Sequence, residues 1–178
     1  ALQELIAREC PAISETALTI GQFCAGSASN VIPETAVLQG TMRSFDEKTM
    51  SHLIARLNEI VPSVAGASRT KAEIEVISDI PIVRCNEELN QEIVEGLKEL
   101  EPELKAVCAY HVMGSEDFAY ISQKIPASYM CIGAGIEDVS KRYVEHNPKV
   151  RFHESALVKG AAIYAGTAMR WLDLHGNQ

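Results

Sequence analysis

His146 is the first candidate for metal or acid–base chemistry in this 178-residue protein. It lies in the polar segment 143–148, directly before an Asn-Pro pair, which marks a turn and favours extended backbone before the proline. An imidazole held in such a loop can ligate a metal or contact a substrate. A catalytic metal needs about three protein ligands, so His146 alone does not define a site. The alternative is a loop histidine that is hydrogen-bonded to backbone.

Adjacent carboxylates at Glu116 and Asp117 form a second candidate. The pair can act as a general base or as metal ligands. The alternative is that Asp117 caps a short helix beginning at Phe118. Another acidic pair, Glu87 and Glu88, is set aside because it falls in the first turn of a predicted helix, where carboxylates favour the helix dipole.

Asn30 and Arg43 are polar residues that can bind a substrate. Asn30 precedes an X-Pro turn, and Arg43 lies on the more polar face of a predicted strand. Their alternatives are a turn-forming amide and an exposed strand cation. The sequence has no phosphate-binding glycine loop, no G-x-S-x-G and no H-E-x-x-H. The Gly-Ala-Gly run at 133–135 is therefore weak support for a third alternative, a nucleotide-binding α/β protein.

The first half of the chain alternates between helical and strand periodicity. A helix precedes Pro11, and β-forming residues at 16–24 and 36–43 predict two strands. Asp46 is a predicted N-cap for an amphipathic helix that Pro62 should end or kink, and alternation at 71–77 predicts a third strand. This order becomes a split-βαβ sandwich if one strand is added in front.

The second half of the chain has the alternation typical of an α/β domain. After a linker at 78–85, Asn86 is a predicted cap for a helix that ends before Pro102. Buried strands are predicted at 106–110 and 127–133, and a last helix at 155–172.

Composition excludes several classes of protein. A net charge of −8 argues against a nucleic-acid or anionic-membrane surface, and no apolar run approaches the roughly 20 residues that span a bilayer. The five widely spaced cysteines form no C-x-x-C, which predicts reduced thiols. We therefore expect a cytoplasmic protein. Because the first residues already have helical spacing without a cap, we expect the chain to be part of a longer one.

Several separated stretches together resemble the M20-type metallopeptidases and amidohydrolases, in the branch that contains hippurate hydrolases, aminoacylases and auxin-conjugate hydrolases. The stretches at 26–33 and 40–43 resemble the lid, or dimerisation, domain of that family, and 113–119 resembles its Gly-x-Glu-Asp-Phe signature. The stretches at 146–148 and 154–160 resemble its C-terminal motif. The likeness covers nearly the whole chain in the right order.

The resemblance implies a zinc-peptidase-like α/β catalytic domain with a ferredoxin-like α/β sandwich as lid. It implies hydrolysis of the amide bond of N-acyl amino acids or small peptides by two divalent metals, Zn or else Mn, Co or Ni. His146 matches a metal-binding histidine of the family. Asn30 and Arg43 match lid residues that reach the substrate, often across a homodimer. Gly114 belongs with Glu116 and Asp117 to the signature, as support for the site.

The metal-ligand and base-glutamate motifs that precede the lid in this family are absent from the 178 residues. We therefore predict the C-terminal part of a metal-dependent amidohydrolase, with a partial lid at 1–80, the end of the catalytic domain at 81–178, and no catalytic base in this chain. By itself the chain should be inactive. The alternative is a non-catalytic dimerisation or binding module that keeps the fold.

Overall fold

A computed structural model describes residues 1–107 and 111–176, which form two compact units. The first unit comprises Ala1–Ile82 and His111–Tyr120, and the second comprises Val83–Tyr110 and Ile121–Gln178. Both units contain helices, and the first also contains a two-stranded sheet, so the predicted mixed α/β class is confirmed. The assignment of 1–80 to a lid and of 81–178 to a catalytic domain stays a prediction, because contacts group residues without giving them a role.

The first unit is built on an antiparallel pair of strands. Helix α1 (Leu2–Glu9) precedes strands β1 (Thr16–Ala25) and β2 (Ala36–Ser44), and helix α2 (Glu47–Ala67) follows. The register shifts between Ile20 and Gln22, so the residue between them is an extra residue in β1, a β-bulge. Opposite the bulge, a Cβ on Gly40 would lie 2.3 Å from the carbonyl oxygen of Thr19. Glycine at position 40 therefore lets the two backbones approach.

The core of this unit lies between α1 and α2. Leu5 and Leu53 are both fully buried, one from each helix. Asp46 caps α2 as predicted, since its carboxylate accepts a hydrogen bond from the Thr49 amide at 2.7 Å. Helix α2 does not end at Pro62 but continues to Ala67. Pro62 lies on the exposed side of the helix, where water can bond the carbonyl that loses its partner.

Two predicted strands are not formed. The segments 71–77 and 127–133 are irregular, although within the first of them Ala72 and Ile74 are half-buried and their neighbours exposed, as the alternation requires. A strand needs a neighbour for its backbone N–H and C=O groups, and in the part of the chain that is described neither segment has a ladder partner. Of the predicted strand at 106–110, residues 106 and 107 are irregular, and 108–110 lie outside the described residues.

In the second unit, helix α3 (Glu87–Leu100) packs against helix α5 (Ser155–His175). Asn86 caps α3 as predicted, accepting from the Leu89 amide at 2.8 Å. Ile93 and Leu97 are buried in α3, whereas no residue of α5 is buried. The described residues also include a short helix α4 (Ala119–Ser122), which begins in the first unit and ends in the second, and a 3-10 turn (Val139–Lys141) of the second unit.

Close contact between α3 and α5 is permitted by small residues and fixed by ion pairs. A Cβ on Gly96 would lie 2.6 Å from the Arg170 side chain. Arg170 donates to Glu99 at 3.0 Å, and His175 pairs with Glu92 at 3.1 Å. No helix among residues 1–107 and 111–176 is both long and apolar enough to cross a membrane.

We expect Leu53→Ala to lower the free energy of unfolding of the first unit by about 2–4 kcal/mol, because truncating a fully buried leucine leaves a cavity. The matched control is Val64→Ala on the same helix, where the side chain is 51% exposed, and its effect should stay within about 0.5 kcal/mol. Urea unfolding followed by circular dichroism measures both. Equal losses in the two variants would contradict the packing of α2 on α1.

Candidate functional site

His146 lies at the tip of a tight turn. The Asn147 amide donates to the carbonyl of Val144 at 3.2 Å, and the Asn147 side chain accepts from the Lys149 amide at 2.9 Å. The extended backbone expected before the Asn-Pro pair is not found at His146: its φ is +67°, in the left-handed region, which is uncommon for residues other than glycine. The imidazole is exposed and forms no hydrogen bond with the described residues. The alternative of a ring tied to loop backbone is therefore wrong.

The segment before His146 is held by Asp138. Its carboxylate accepts from the Ser140 hydroxyl at 2.6 Å and from the Lys141 ammonium at 2.8 Å. These two contacts hold the pKa of Asp138 below its usual range, and the contact with Lys141 has the larger effect. Arg142 adds a hydrogen bond from Nε to the carbonyl of Ile136 at 2.6 Å. The loop is thereby folded on itself before it reaches the histidine.

The base of the same loop is closed by backbone pairing. Gly135 and Phe152 form an isolated antiparallel bridge, and the His153 amide donates to the carbonyl of Ala134 at 2.8 Å. The His153 ring contacts the Ser155 hydroxyl at 2.7 Å, at the start of α5. His153 is thus a structural residue, and the 133–135 run closes a loop, with no helix start of the kind that binds phosphate directly after it.

The donor set was tested for a metal centre. Among residues 1–107 and 111–176, no three histidine, cysteine, aspartate or glutamate side chains are close enough together to hold an ion. His146 offers ring nitrogens without a protein partner, which suits a metal ligand, but the described residues do not form a complete centre.

Asn30 and Arg43 occupy opposite ends of the β1–β2 hairpin. Asn30 is exposed in the connection between the strands, where the Val31 amide donates to Ala28 at 3.4 Å. Arg43 pairs with Ala17 near the other end of the ladder and is half-buried. The structure does not bring these two predicted substrate-binding residues together.

Arg43 instead contacts the segment 111–120, which contains the Gly-x-Glu-Asp-Phe signature and is called the signature segment below. One terminal nitrogen of its guanidinium donates to the carbonyl of Met113, directly before Gly114. Farther along, the Glu116 carboxylate accepts from the Phe118 amide at 3.2 Å. Capping by Asp117 is therefore wrong, since Glu116 makes that contact and the Asp117 side chain is exposed without a hydrogen bond to the described residues.

Sequence reasoning missed two residues, one in this segment and one that contacts it. His111 contacts the Glu15 carboxylate through Nδ1 at 3.2 Å, and its ring lies 5.1 Å from the ring of Phe45. His111 stands two residues before the signature, which was a usable signal. Glu15 lies 96 residues away in the chain, so only the tertiary structure could reveal the pair.

The comparisons with known proteins agree with this architecture. Residues 6–170 match the peptidase family M20/M25/M40. The chain belongs to this family. The resemblance predicted from the motifs is thus confirmed.

Relatives of this M20 chain include the IAA-amino acid hydrolase ILR1-like 2 of Arabidopsis thaliana, 31% identical over 96% of the chain and 39% of the relative. The putative amidohydrolase YhaA of Bacillus subtilis is 29% identical over 97% of the chain and 44% of that protein. The chain therefore spans about two fifths of the length of these relatives.

Solved structures show the same fold. A putative aminohydrolase from methicillin-resistant Staphylococcus aureus superimposes with a TM-score of 0.81 at 23% identity, over 95% of this M20 chain and 43% of that one. The Bacillus subtilis YXEP protein, described as a dinuclear metal binding peptidase of the M20 family, gives 0.75 at 24% identity, over 89% and 42% of the two chains.

We expect the order of the 138–141 segment to depend on the Asp138 carboxylate. Because the pKa of Asp138 is lowered in the folded chain, its stabilising effect is present above the usual aspartate pKa and is lost as pH falls through the folded value. An NMR titration of the Ser140 amide should show this loss at acidic pH, and Asp138→Asn should abolish it. Asp173→Asn, which removes the same charge from α5, is the control and should leave the Ser140 titration unchanged. If the Ser140 amide still titrates in Asp138→Asn, the Asp138 carboxylate does not order this segment.

Proposed function

We propose that this chain is part of a metal-dependent amidohydrolase that cleaves the amide bond of N-acyl amino acids. The observation that carries the proposal is the match to relatives whose names describe this chemistry. Besides the IAA-amino acid hydrolase, they include an N-acetyl-L-cysteine deacetylase of Bacillus subtilis, 29% identical over 97% of the chain. Small peptides are a second substrate class, supported by the thermostable carboxypeptidase 2 of Saccharolobus solfataricus at 29% identity.

His146 is the proposed metal ligand of this chain. Its ring is exposed, it has no competing hydrogen bond among the described residues, and the turn around it fixes its backbone. Two divalent ions, zinc or else manganese, cobalt or nickel, would polarise the substrate carbonyl and activate water when bound. No base is assigned to this chain. The other ligands would come from residues outside it.

Asn30 and Arg43 are the proposed substrate-binding residues. An arginine can bind a substrate carboxylate with two parallel hydrogen bonds, and an asparagine amide can donate to a carboxylate or an oxyanion. Arg43 keeps N–H groups beyond the one that Met113 accepts, and Asn30 is exposed. Gly114, Glu116 and Asp117 would support the site as part of the signature segment.

A homodimer through the first unit, in a cytoplasmic setting, completes the proposal. Among the described residues the β1–β2 sheet has two strands, so each strand has an edge whose backbone groups another strand can pair. Cys10, Cys24, Cys85 and Cys131 are free thiols, which suits a reducing compartment.

We expect the 178-residue chain by itself to bind divalent metal weakly and to have no acylase activity, because the described residues offer no group of three ligands. Zinc titration by calorimetry and a hippurate hydrolysis assay measure this. Tight stoichiometric zinc binding, or hippurate cleavage, would show that the ligand set is complete without further residues.

The function itself is tested in a chimera in which this chain replaces the matching 44% of the YhaA amidohydrolase. We expect hydrolysis of N-acyl amino acids, with His146→Ala lowering kcat/KM by at least roughly 100-fold and reducing the bound metal, since even outer-shell partners of a metal cost 10–100-fold. The control is His52→Ala, which removes a half-exposed histidine from α2. A chimera that is active with His146→Ala would contradict the ligand role.

The same chimera tests the alternative of a non-catalytic dimerisation or binding module. A folded, dimeric chimera that binds no metal and cleaves no N-acyl amino acid would support that alternative.

A further inference from the structure

The segment 111–120 carries the family signature, and its contacts hold it to the first unit. Arg43 lies 70 residues before Met113 in the chain, yet its guanidinium donates to the Met113 carbonyl. His111 meets Glu15 at 3.2 Å and the Phe45 ring at 5.1 Å. At the far end, the Tyr120 hydroxyl donates to the carbonyl of Asp79 at 2.9 Å.

The first three of these contacts come from one end of the β1–β2 ladder. Thr16 pairs with Ser44, and Ala17 pairs with Arg43. Glu15 directly precedes β1, Phe45 directly follows β2, and the Phe45 amide donates to the Glu15 carbonyl at 3.4 Å. This end of the sheet therefore carries the Glu15 carboxylate, the Phe45 ring and the Arg43 guanidinium.

Polar contacts rather than burial hold the segment. Residues 111–115 have no helix or strand, and in 111–120 only Ala119 is buried. The His111 side chain is 63% exposed, and Gly114, Ser115 and Asp117 are exposed as well. A segment with so few buried residues depends on specific contacts to stay closed.

We infer that Arg43, together with Glu15 and His111, positions the signature segment, so that Glu116 and Asp117 are held by the end of the β1–β2 sheet. In this role Arg43, Glu15 and His111 are positioning residues, because they act through the segment. The substrate contact proposed for Arg43 is a separate role of that side chain. The inference rests on the proposed function only in giving Glu116 and Asp117 a role in the site.

A consequence for the proposed function is that Arg43 serves two groups. A guanidinium has five N–H donors in a rigid plane, so one can hold the Met113 carbonyl while others bind a substrate carboxylate. The residue that would bind the substrate is then also the residue that sets the position of the signature. Substrate binding and placement of Glu116 are thereby linked through one side chain.

The test uses the 178-residue chain with methyl-labelled methionine, in which the Met113 methyl resonance is assigned by Met113→Leu. We expect Arg43→Met to move that resonance towards its unfolded-chain position and to speed amide exchange at 118–120 by about 10-fold, the effect of losing a hydrogen bond from a charged donor. Glu15→Gln should move the resonance in the same direction. Arg43→Lys, which keeps a charged donor, should restore most of the wild-type shift.

The matched control is Arg8→Met, since Arg8 is an exposed arginine of the same unit whose ion pair among the described residues is with Glu4 in α1. An unchanged Met113 resonance in both Arg43→Met and Glu15→Gln would overturn the inference. Equal acceleration of exchange throughout β1 and β2 would also overturn it, because Arg43 would then support the whole unit. Neither readout needs metal or turnover, so loss of the proposed function leaves this result standing.

Discussion

The antiparallel pairing of β1 with β2 is the constraint on which the first unit depends. Because a one-residue slip would turn every side chain to the other face, the register decides that Arg43 pairs with Ala17, which lies two residues after Glu15. The bulge between Ile20 and Gln22 adds a residue to one strand only, and Gly40 lets the backbones meet there. The ladder thereby sets where the signature segment can be bound.

The second unit depends on the packing of helix α5 against helix α3. Two cations of helix α5 form ion pairs with α3 and its C-terminal cap: Arg170 pairs with Glu99, and Lys159 pairs with Glu101. Several large apolar side chains of α5 are exposed, as at Tyr164, which is 83% exposed. Ion pairs between exposed charges contribute little stability, so close contact at Gly96 and Gly166 matters more for this helix pair.

The loop between Gly135 and Phe152, which carries His146, is held by polar and backbone contacts. Asp138 folds the segment before it, the Gly135–Phe152 bridge closes the base, and the turn at Val144–Asn147 sets the left-handed backbone of His146. Every one of these contacts is local or joins two ends of one loop. The backbone geometry of His146 is therefore set by contacts within its own loop.

The sequence by itself determined what depends on neighbours along the chain. The caps at Asp46 and Asn86, the two strands, the helices and the family motifs all follow from local patterns. The tertiary structure decided what depends on partners far away. The segments 71–77 and 127–133 have strand patterns but no ladder partner within the described part of the chain, and a strand forms only where another satisfies its hydrogen bonds. Likewise, nothing near Glu15 in the sequence indicates His111, since long-range pairing is fixed by the register of the sheet and not by spacing.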